Sequence, residues 1–154
     1  MPAPRAKTST VAIAIVLALS AGGALAATAA DTIAARQAGY KKMGAAFKGL
    51  NDELKAGSPD KAKLTAYANT MHTQALLVPG WFPKGSGPES GVKTKAKAQI
   101  WAESAKFATL GKNLQTETGK LRTIAASGDL DALRAQVRAT GGSCKACHDP
   151  YRAE

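Results

Sequence analysis

Apolar side chains recur at helical spacing through most of the chain after residue 30. In the first such segment they lie three, four or seven positions apart: Ile33, Tyr40, Met43, Phe47, Leu50 and Leu54. This spacing places side chains on one face of an α-helix. Asp31 or Thr32 is a suitable N-cap, and Gly57 is a suitable residue just after the C-terminus. The pattern therefore predicts a first helix that ends at about Lys55.

A second helix is predicted after Ser58, which can act as N-cap with Pro59 at the first helical position. It should run to about Leu77 and stop before Pro79. Its inner face is formed by Leu64, Tyr67, Met71, Ala75 and Val78. Residues 79–92 hold Pro or Gly at seven of fourteen positions, so this segment is predicted to be a loop.

Two more helices are predicted after the loop. The third should run from about Lys95 to Ala126, and Ser127-Gly128 should make the turn that follows. Asp129 is a suitable N-cap for the fourth helix. Gly141-Gly142 could interrupt that helix, because glycine weakens helix interiors. The sequence carries no strand pattern. Short connections make consecutive helices antiparallel neighbours, so the predicted fold is all-α, an up-down-up-down antiparallel four-helix bundle.

Length and composition agree with one helical domain. The chain has 154 residues, 45% of them hydrophobic and only 5% aromatic, so small and aliphatic side chains must build the core. Two cysteines exclude a disulfide-rich scaffold, and a four-ligand zinc site would need both cysteines and both histidines.

The N-terminus has the layout of a secretory signal peptide. Arg5 and Lys7 precede an apolar run over residues 11–19, and Ala24-Leu25-Ala26 fits the pattern of a cleavage site. That run is too short to span a bilayer, which takes about 20 residues. We therefore predict a signal peptide over residues 1–26, a mature domain over residues 27–154, export to the periplasm and no membrane insertion after cleavage.

The residues Cys144-Lys145-Ala146-Cys147-His148 form a C-x-x-C-H motif, the attachment signature for a c-type haem. Residues three apart share a helix face, so both thiols can reach the two vinyl groups of one porphyrin. His148 is then placed to act as an axial ligand of the haem iron. Export fits this interpretation because this kind of haem attachment takes place in the exported compartment.

Three other interpretations of the motif remain. The two cysteines can form a thioredoxin-like dithiol, although no βαβ unit accompanies them. They can bind zinc together with His148 and His72, or they can form a local disulfide. In each of these cases the protein is free of haem.

The sequence resembles class II cytochrome c, and most closely cytochrome c′. The resemblance is carried by Cys-Lys-Ala-Cys-His-Asp-Pro-Tyr-Arg near the C-terminus and by Arg-Gln-Ala-Gly-Tyr-Lys-Lys-Met-Gly over residues 36–44. The Gly- and Pro-rich loop and Ile100-Trp101 extend it over the mature chain. This sequence departs from the family pattern at Ala98, where a proline often precedes the Ile-Trp pair.

The resemblance implies one covalently attached haem c near the C-terminal helix. It assigns Cys144 and Cys147 to the thioether bonds and His148 to the iron. The remaining residues that it places around the haem are Arg36, Gln37, Tyr40, Thr94, Lys95 and Arg152. Among these, Arg36 and Gln37 match the family pair beside a haem propionate, and Tyr40 occupies the distal position.

The sixth axial position decides the function. Its candidate occupants are Met43, Met71, His72, Tyr40 or no side chain. The family places a ligating methionine at the position of Tyr40 in low-spin members, and a protonated tyrosine does not ligate. We therefore expect a five-coordinate, high-spin iron that exchanges single electrons and binds nitric oxide or carbon monoxide. The alternative is a low-spin electron carrier with Met43 as sixth ligand.

The charge of the chain bears on its partners. Without residues 1–26, 19 Lys and Arg stand against 11 Asp and Glu, a net charge of +8. This excess favours an acidic redox partner protein. Nucleic-acid binding is not expected, because the protein is predicted to be exported and its basic residues are scattered over all four helices. No motif indicates an enzyme, and the resemblance makes a homodimer possible.

Overall fold

The computed structural model describes residues 27–154, which form four long helices and one short helix. Their bounds are Ala29–Leu54 (α1), Lys61–Leu77 (α2), Gln99–Ala102 (α3), Ser104–Ser127 (α4) and Leu130–Tyr151 (α5). Within residues 27–154, β-type pairing is limited to an isolated bridge between Ala96 and Arg152. No helix of the described part is long and apolar enough to cross a bilayer. The predicted signal peptide lies outside the described residues.

The long helices pack in sequence, with α1 against α2, α2 against α4, and α4 against α5. Each short connection reverses the chain direction, so the predicted up-down-up-down four-helix bundle is confirmed. In contrast, α1 and α5 approach each other at few points. The bundle is therefore open on the side between its first and last helices.

Two apolar clusters fill the bundle. The larger one runs along its length and is built from small and aliphatic residues such as Leu50, Leu64, Ala68 and Leu121. The smaller cluster consists of Ile100, Phe107 and Tyr151, with Phe82, Trp101 and Cys147 packed against it. The aromatic side chains are thus concentrated near the C-terminal end of α5.

The N-terminus of α1 lies earlier than predicted. Thr28 is the N-cap, and its hydroxyl accepts a hydrogen bond from the Asp31 N–H at 3.1 Å. The Asp31 carboxylate accepts in return from the Thr28 N–H at 3.2 Å, which completes a capping box. The prediction of Asp31 or Thr32 as N-cap was wrong because Asp31 supports the cap from the third helical position.

The connection between α1 and α2 also differs from the prediction. Gly57 was predicted to follow directly on the C-terminus of α1, but the helix ends earlier, with Lys55 as its C-cap. The Lys55 N–H donates to the Asp52 carbonyl at 3.1 Å, and this short-range bond closes the last turn. The N-cap of α2 is Asp60 and not Ser58. The Asp60 carboxylate accepts from two backbone N–H groups, at 2.7 and 3.2 Å, which makes it the stronger cap.

The predicted third helix begins later and is broken. The segment 79–92 is a loop that contains parts of two short 3₁₀ turns, Val78–Trp81 and Pro88–Ser90. Residues 93–97, which we call the strap, do not begin the helix as predicted. The Lys97 N–H bonds to the Tyr151 carbonyl at 3.0 Å and the Ala153 N–H bonds to the Lys95 carbonyl at 2.8 Å. These long-range bonds replace the helical ones.

The turn into α5 agrees with the prediction. Gly128 adopts a left-handed conformation with φ of 89°, and Asp129 caps α5 through a 2.9 Å bond from the Ala132 N–H. The helix then continues through Gly141 and Gly142 without interruption. The expected break at the glycine pair is absent, and the helical register therefore persists as far as Tyr151.

The imidazole of His72 should make the stability of the bundle depend on pH. Burial, and secondarily the Arg122 cation of α4, lower the pKa of His72 below its ordinary 6.5. The unfolded chain then binds more protons than the folded chain just below pH 6.5, so the free energy of unfolding falls as the pH drops through that value. We expect His72→Gln to reduce this loss, measured by urea unfolding between about pH 7.5 and pH 5.

The other histidine of the chain, His148, is present in both the wild type and His72→Gln. The difference between the pH profiles of the two proteins therefore reports on His72 alone. Identical profiles for the wild type and His72→Gln would contradict the prediction.

Candidate haem-binding site

A cavity of about 860 Å³ occupies the open side of the bundle. Stripes of residues three or four apart line it from α1 (36, 37, 40, 43, 44, 47), from α4 (107, 110, 111, 114) and from α5 (141, 144, 147, 148, 151). Pockets for cofactors usually measure about 300–1,000 Å³. The cavity therefore has the size of a cofactor site, and three helices present regular faces to it.

Glycines help to make this space. A Cβ added at Gly44 of α1 or at Gly111 of α4 would meet no atom within 4 Å, although Gly111 is buried. Both residues line the cavity. The helices thus approach the cavity with bare backbone at these positions, which leaves room for a flat, bulky group.

Every site residue selected from the sequence borders this one cavity: Arg36, Gln37, Tyr40, Thr94, Lys95, Cys144, Cys147, His148 and Arg152. Met43 and Met71 also line it and are buried. His72 does not. Its Nδ1 lies 3.2 Å from the Thr118 hydroxyl at the α2–α4 contact. His72 is therefore removed from the candidate axial ligands, because its side chain points along a different face of α2.

The two thiols of the motif lie on the inner face of α5 and are half-buried and free. Burial raises the pKa of Cys144, and burial together with the neighbouring thiol raises the pKa of Cys147 to about 11. Both thiols are therefore protonated at neutral pH, whereas a redox-active dithiol needs a lowered pKa. No cluster of three metal-binding side chains occurs within residues 27–154, so the zinc alternative has no assembled ligand set.

His148 lies one residue further along α5, at the mouth of the cavity. Partial burial, followed by the Arg152 cation, lowers the pKa of its imidazole, while Asp149 opposes this shift. Asp149 is itself paired with Lys145 at 2.7 Å on the outer face of the helix. The imidazole is therefore neutral at pH 7 and has a nitrogen lone pair available for a metal.

Arg36 of α1 is buried, with only 3% of its surface exposed. One terminal nitrogen donates to the Trp81 carbonyl and the Ser86 hydroxyl, both at 3.3 Å. The other donates to the Ser86 carbonyl and the Thr94 hydroxyl, both at 2.9 Å. The guanidinium also lies over the Phe82 ring, 4.7 Å from its centroid. It makes no ion pair with a carboxylate of residues 27–154, so its charge is left for an anion in the cavity.

An aromatic wall of the cavity is formed by side chains that sequence reasoning did not select as site residues, namely Phe82, Phe107 and Tyr151. Tyr40 packs edge-on against Trp81, at 4.9 Å between ring centroids. Phe82 packs against Phe107 at 4.8 Å, and Phe107 against Tyr151 at 5.2 Å. The signal in the sequence was an adjacent Trp-Phe pair inside a loop otherwise rich in Gly and Pro. Burial raises the pKa of Tyr40 well above its usual value, so its phenol stays protonated.

Comparison with known proteins identifies the family. A family model described as Cytochrome C' matches residues 31–152. The chain belongs to the cytochrome c′ family. It is 35% identical over 123 residues to the cytochrome c′ of Alcaligenes xylosoxydans xylosoxydans, which covers 79% of this chain and 93% of that relative.

Solved structures agree with this assignment. The cytochrome c′ of Thermochromatium tepidum superposes with a TM-score of 0.78 at 28% identity, covering 83% of this chain and 98% of that one. A nitric oxide complex of a variant cytochrome c′ from Alcaligenes xylosoxidans gives a TM-score of 0.75 at 32% identity, covering 84% and 98%. Members of the family carry covalently attached haem c, and haem c is the cofactor of this chain.

The lining of the cavity fits that cofactor. Paired thiols and a neutral imidazole lie on one helix face, apolar and aromatic side chains form the walls, and a buried cation without a carboxylate lies at one side. Haem has the corresponding parts: two vinyl groups, an iron, a hydrophobic ring and two propionates.

The absence of a side chain at Gly39 determines where Trp81 sits. A Cβ at residue 39 would overlap the six-membered ring of Trp81, so Gly39→Ala must displace the indole and loosen its contact with Tyr40. We expect a loss of about 1–3 kcal/mol in the free energy of unfolding, typical of overpacking, and an altered tryptophan fluorescence.

Gly142→Ala on α5 is the matched control, since a Cβ there meets no atom within 4 Å. It should stabilise the helix by up to about 1 kcal/mol. If both variants changed the free energy of unfolding by the same amount, the position of Trp81 would not depend on the missing side chain at Gly39.

Proposed function

We propose that the protein is a periplasmic haem c protein that exchanges single electrons and binds small diatomic gases, nitric oxide and carbon monoxide, at a five-coordinate iron. One observation carries the proposal. Cys144, Cys147 and His148 present their side chains from one face of α5 to a cavity of about 860 Å³. The N-terminal pattern over residues 1–26 supports export, and no residue pattern supports turnover of a substrate, so we infer that the protein is not an enzyme.

In this proposal Cys144 and Cys147 hold the haem through thioether bonds and His148 binds the iron. Haem c supplies an iron that cycles between two oxidation states and has an axial position for a ligand. The three residues share the rigid frame of α5, which runs unbroken from Leu130 to Tyr151. The raised thiol pKa values and the neutral imidazole match groups that are held for attachment and coordination rather than for thiol exchange.

The cations beside the cavity are assigned to the propionates. Arg36 is the first candidate because it is buried without a carboxylate partner. Gln37 and Thr94 hold the strap next to it: Gln37 donates to the Lys93 carbonyl at 3.2 Å, and Thr94 accepts from Arg36. Lys95 and Arg152 also border the cavity. A charge-assisted hydrogen bond to a propionate is among the stronger polar contacts available.

Tyr40 is proposed to cover the distal position without ligating the iron. Its pKa is raised by burial, so no phenolate forms at neutral pH, and Trp81 holds the ring in place. The related cytochrome c′ of Alcaligenes xylosoxidans, described in its nitric oxide complex, supports gas binding as the function of this site. A crowded, largely apolar distal side admits small uncharged ligands in preference to larger or charged ones.

The second candidate function is that of a six-coordinate, low-spin electron carrier. It is favoured by Met43, which lines the cavity three residues after Tyr40. Met43 is nevertheless 5% exposed and part of the main apolar cluster, where a flexible thioether fills space well. We therefore place it second.

Thioether attachment can be tested by removing the cysteines. In Cys144→Ala combined with Cys147→Ala, acidified organic solvent should extract all haem, because no covalent bond remains. The wild-type protein, expressed with haem-attachment machinery, should retain its haem under the same treatment. His148→Ala is the companion variant: it should keep covalent haem but show a grossly altered visible spectrum. Retention of haem without the cysteines would refute the assignment.

Tyr40→Ala should accelerate carbon monoxide binding to the ferrous protein. The ring otherwise has to move within a packed wall, and each 1.4 kcal/mol or so removed from that barrier gives about a tenfold faster rate. Tyr40→Phe is the matched control, because it keeps the ring and removes only the hydroxyl, and it should bind carbon monoxide at nearly the wild-type rate. Flash photolysis or stopped-flow absorbance measures all three rates.

Met43→Leu separates the two candidate functions. The substitution conserves volume and should leave the spectrum unchanged if Met43 is only a packing residue. A low-spin wild type that becomes high-spin in Met43→Leu would instead establish the electron carrier and remove gas binding from the proposal.

A further inference from the structure

We propose that the three exposed cations at the mouth of the cavity, Lys93, Lys95 and Arg152, form a docking surface for a small acidic electron-transfer protein. We call these three residues the cationic rim. The inference rests on the proposed function, because it requires a redox cofactor in the cavity that the rim borders. The net charge of the chain favours an acidic partner but does not say where that partner binds. The inference names the surface.

The strap holds two of these cations in fixed positions. On one side, the Thr94 hydroxyl and the Lys93 carbonyl are tied to α1 by bonds from Arg36 at 2.9 Å and Gln37 at 3.2 Å. On the other side, the Lys95 carbonyl accepts from the Ala153 N–H at 2.8 Å. The strap therefore spans the open side of the bundle, from α1 to the C-terminal residues of the chain.

The alternation of side chains along the strap decides which residues face solvent. Thr94 and Ala96 are partly buried, whereas Lys93 and Lys95 are exposed. Arg152, the bridge partner of Ala96, is also exposed. None of the three rim cations forms an ion pair with a carboxylate of residues 27–154. Their charges are therefore available to a partner.

The local charge is strongly one-sided. The cavity is bordered by Arg36 and the cationic rim and by no Asp or Glu. The acidic residues nearest to the rim along the chain are Asp149, which is paired with Lys145 at 2.7 Å, Glu154 at the C-terminus, and Glu89, whose carboxylate accepts from the Gly87 N–H at 3.1 Å. Two haem propionates would bring two negative charges against these four cations, so a net positive surface would remain around the mouth. A positive patch of this kind raises the association rate of a negative partner.

An acidic electron-transfer protein fits this surface better than other classes of partner. A partner bound at the mouth lies beside the cavity, which keeps the electron-transfer distance short. Three cations grouped at the mouth suit the small interfaces of transient redox complexes, which bury less than about 1,200 Å². Complementary charge supplies the fast association that such complexes need.

The test compares two charge-reversed proteins of equal net charge. The rim variant is Lys93→Glu, which leaves the proposed haem-binding residues Lys95 and Arg152 unchanged. The control is Lys61→Glu at the other end of the bundle, where Lys61 lies beside Gly128 of the α4–α5 turn. The visible spectrum of both variants must match that of the wild type. Oxidation of the ferrous protein is then followed with plastocyanin, an acidic copper protein, and with the small oxidants hexacyanoferrate(III) and tris(phenanthroline)cobalt(III).

At low ionic strength, we expect the rim variant to react with plastocyanin at least about threefold more slowly than the control variant, because electrostatic steering is weakened. The cationic cobalt complex should react faster with the rim variant than with the control. The differences should shrink as salt is added. Calorimetric titration of the ferrous protein with reduced plastocyanin, in which no electron acceptor is present, should show weaker binding to the rim variant.

The outcomes separate the two proposals. Equal rates and equal plastocyanin binding for the rim and control variants would overturn the docking surface while leaving the haem assignment intact. A rim effect confined to hexacyanoferrate(III) would also overturn it, since it would indicate a site for small anions only. A wild-type protein without a haem c spectrum would instead refute the proposed function.

Discussion

The buried guanidinium of Arg36 is the contact on which the open side of the molecule depends. A charge in an apolar interior is costly unless hydrogen bonds compensate it. Here four such bonds come from the loop and the strap, from Trp81, Ser86 and Thr94, while Phe82 covers one face. The cation thus fixes to α1 a segment that is rich in Gly and Pro and has little regular structure of its own. The aromatic wall, the strap and the rim all follow from this anchorage.

The cavity results from glycines, which leave space between the helices, and from aromatic side chains, which close its opening. Glycines at 44 and 111 leave backbone exposed to the space between the helices, and α1 and α5 stay apart along it. Aromatic rings from the loop and from α4 and α5 then enclose the opening. A flat apolar cofactor that fills this space buries hydrophobic surface at about 25 cal/mol per Å². A covalently attached haem remains on the unfolded chain, but only the folded chain shields it from water in this way, so its packing in the cavity stabilises the bundle.

The site combines rigid and adjustable parts. The proposed haem-holding residues share one uninterrupted helix, so their spacing is set by helical geometry alone. Tyr40, in contrast, is held through Trp81, and Trp81 is held by the lack of a side chain at Gly39. In the proposed function, access to the distal side would therefore depend on loop packing, whereas attachment would depend on α5. Such a division would let ligand access change without disturbing the haem anchor.

The sequence by itself determined the four helices, their order and the C-x-x-C-H face, because helical periodicity and a short motif are local properties. The nine site residues selected from the sequence all border the cavity. It misplaced the ends of the helices at Thr28, Asp60 and Gln99. At these points competing caps or long-range backbone bonds decide the outcome, and the strap is paired with residues more than fifty positions away. Sequence reasoning also left His72 open as a ligand and missed Trp81, Phe82 and Ser86. Only the tertiary structure settled these, because the direction of a side chain and the anchorage of a loop depend on partners that lie far apart in the chain.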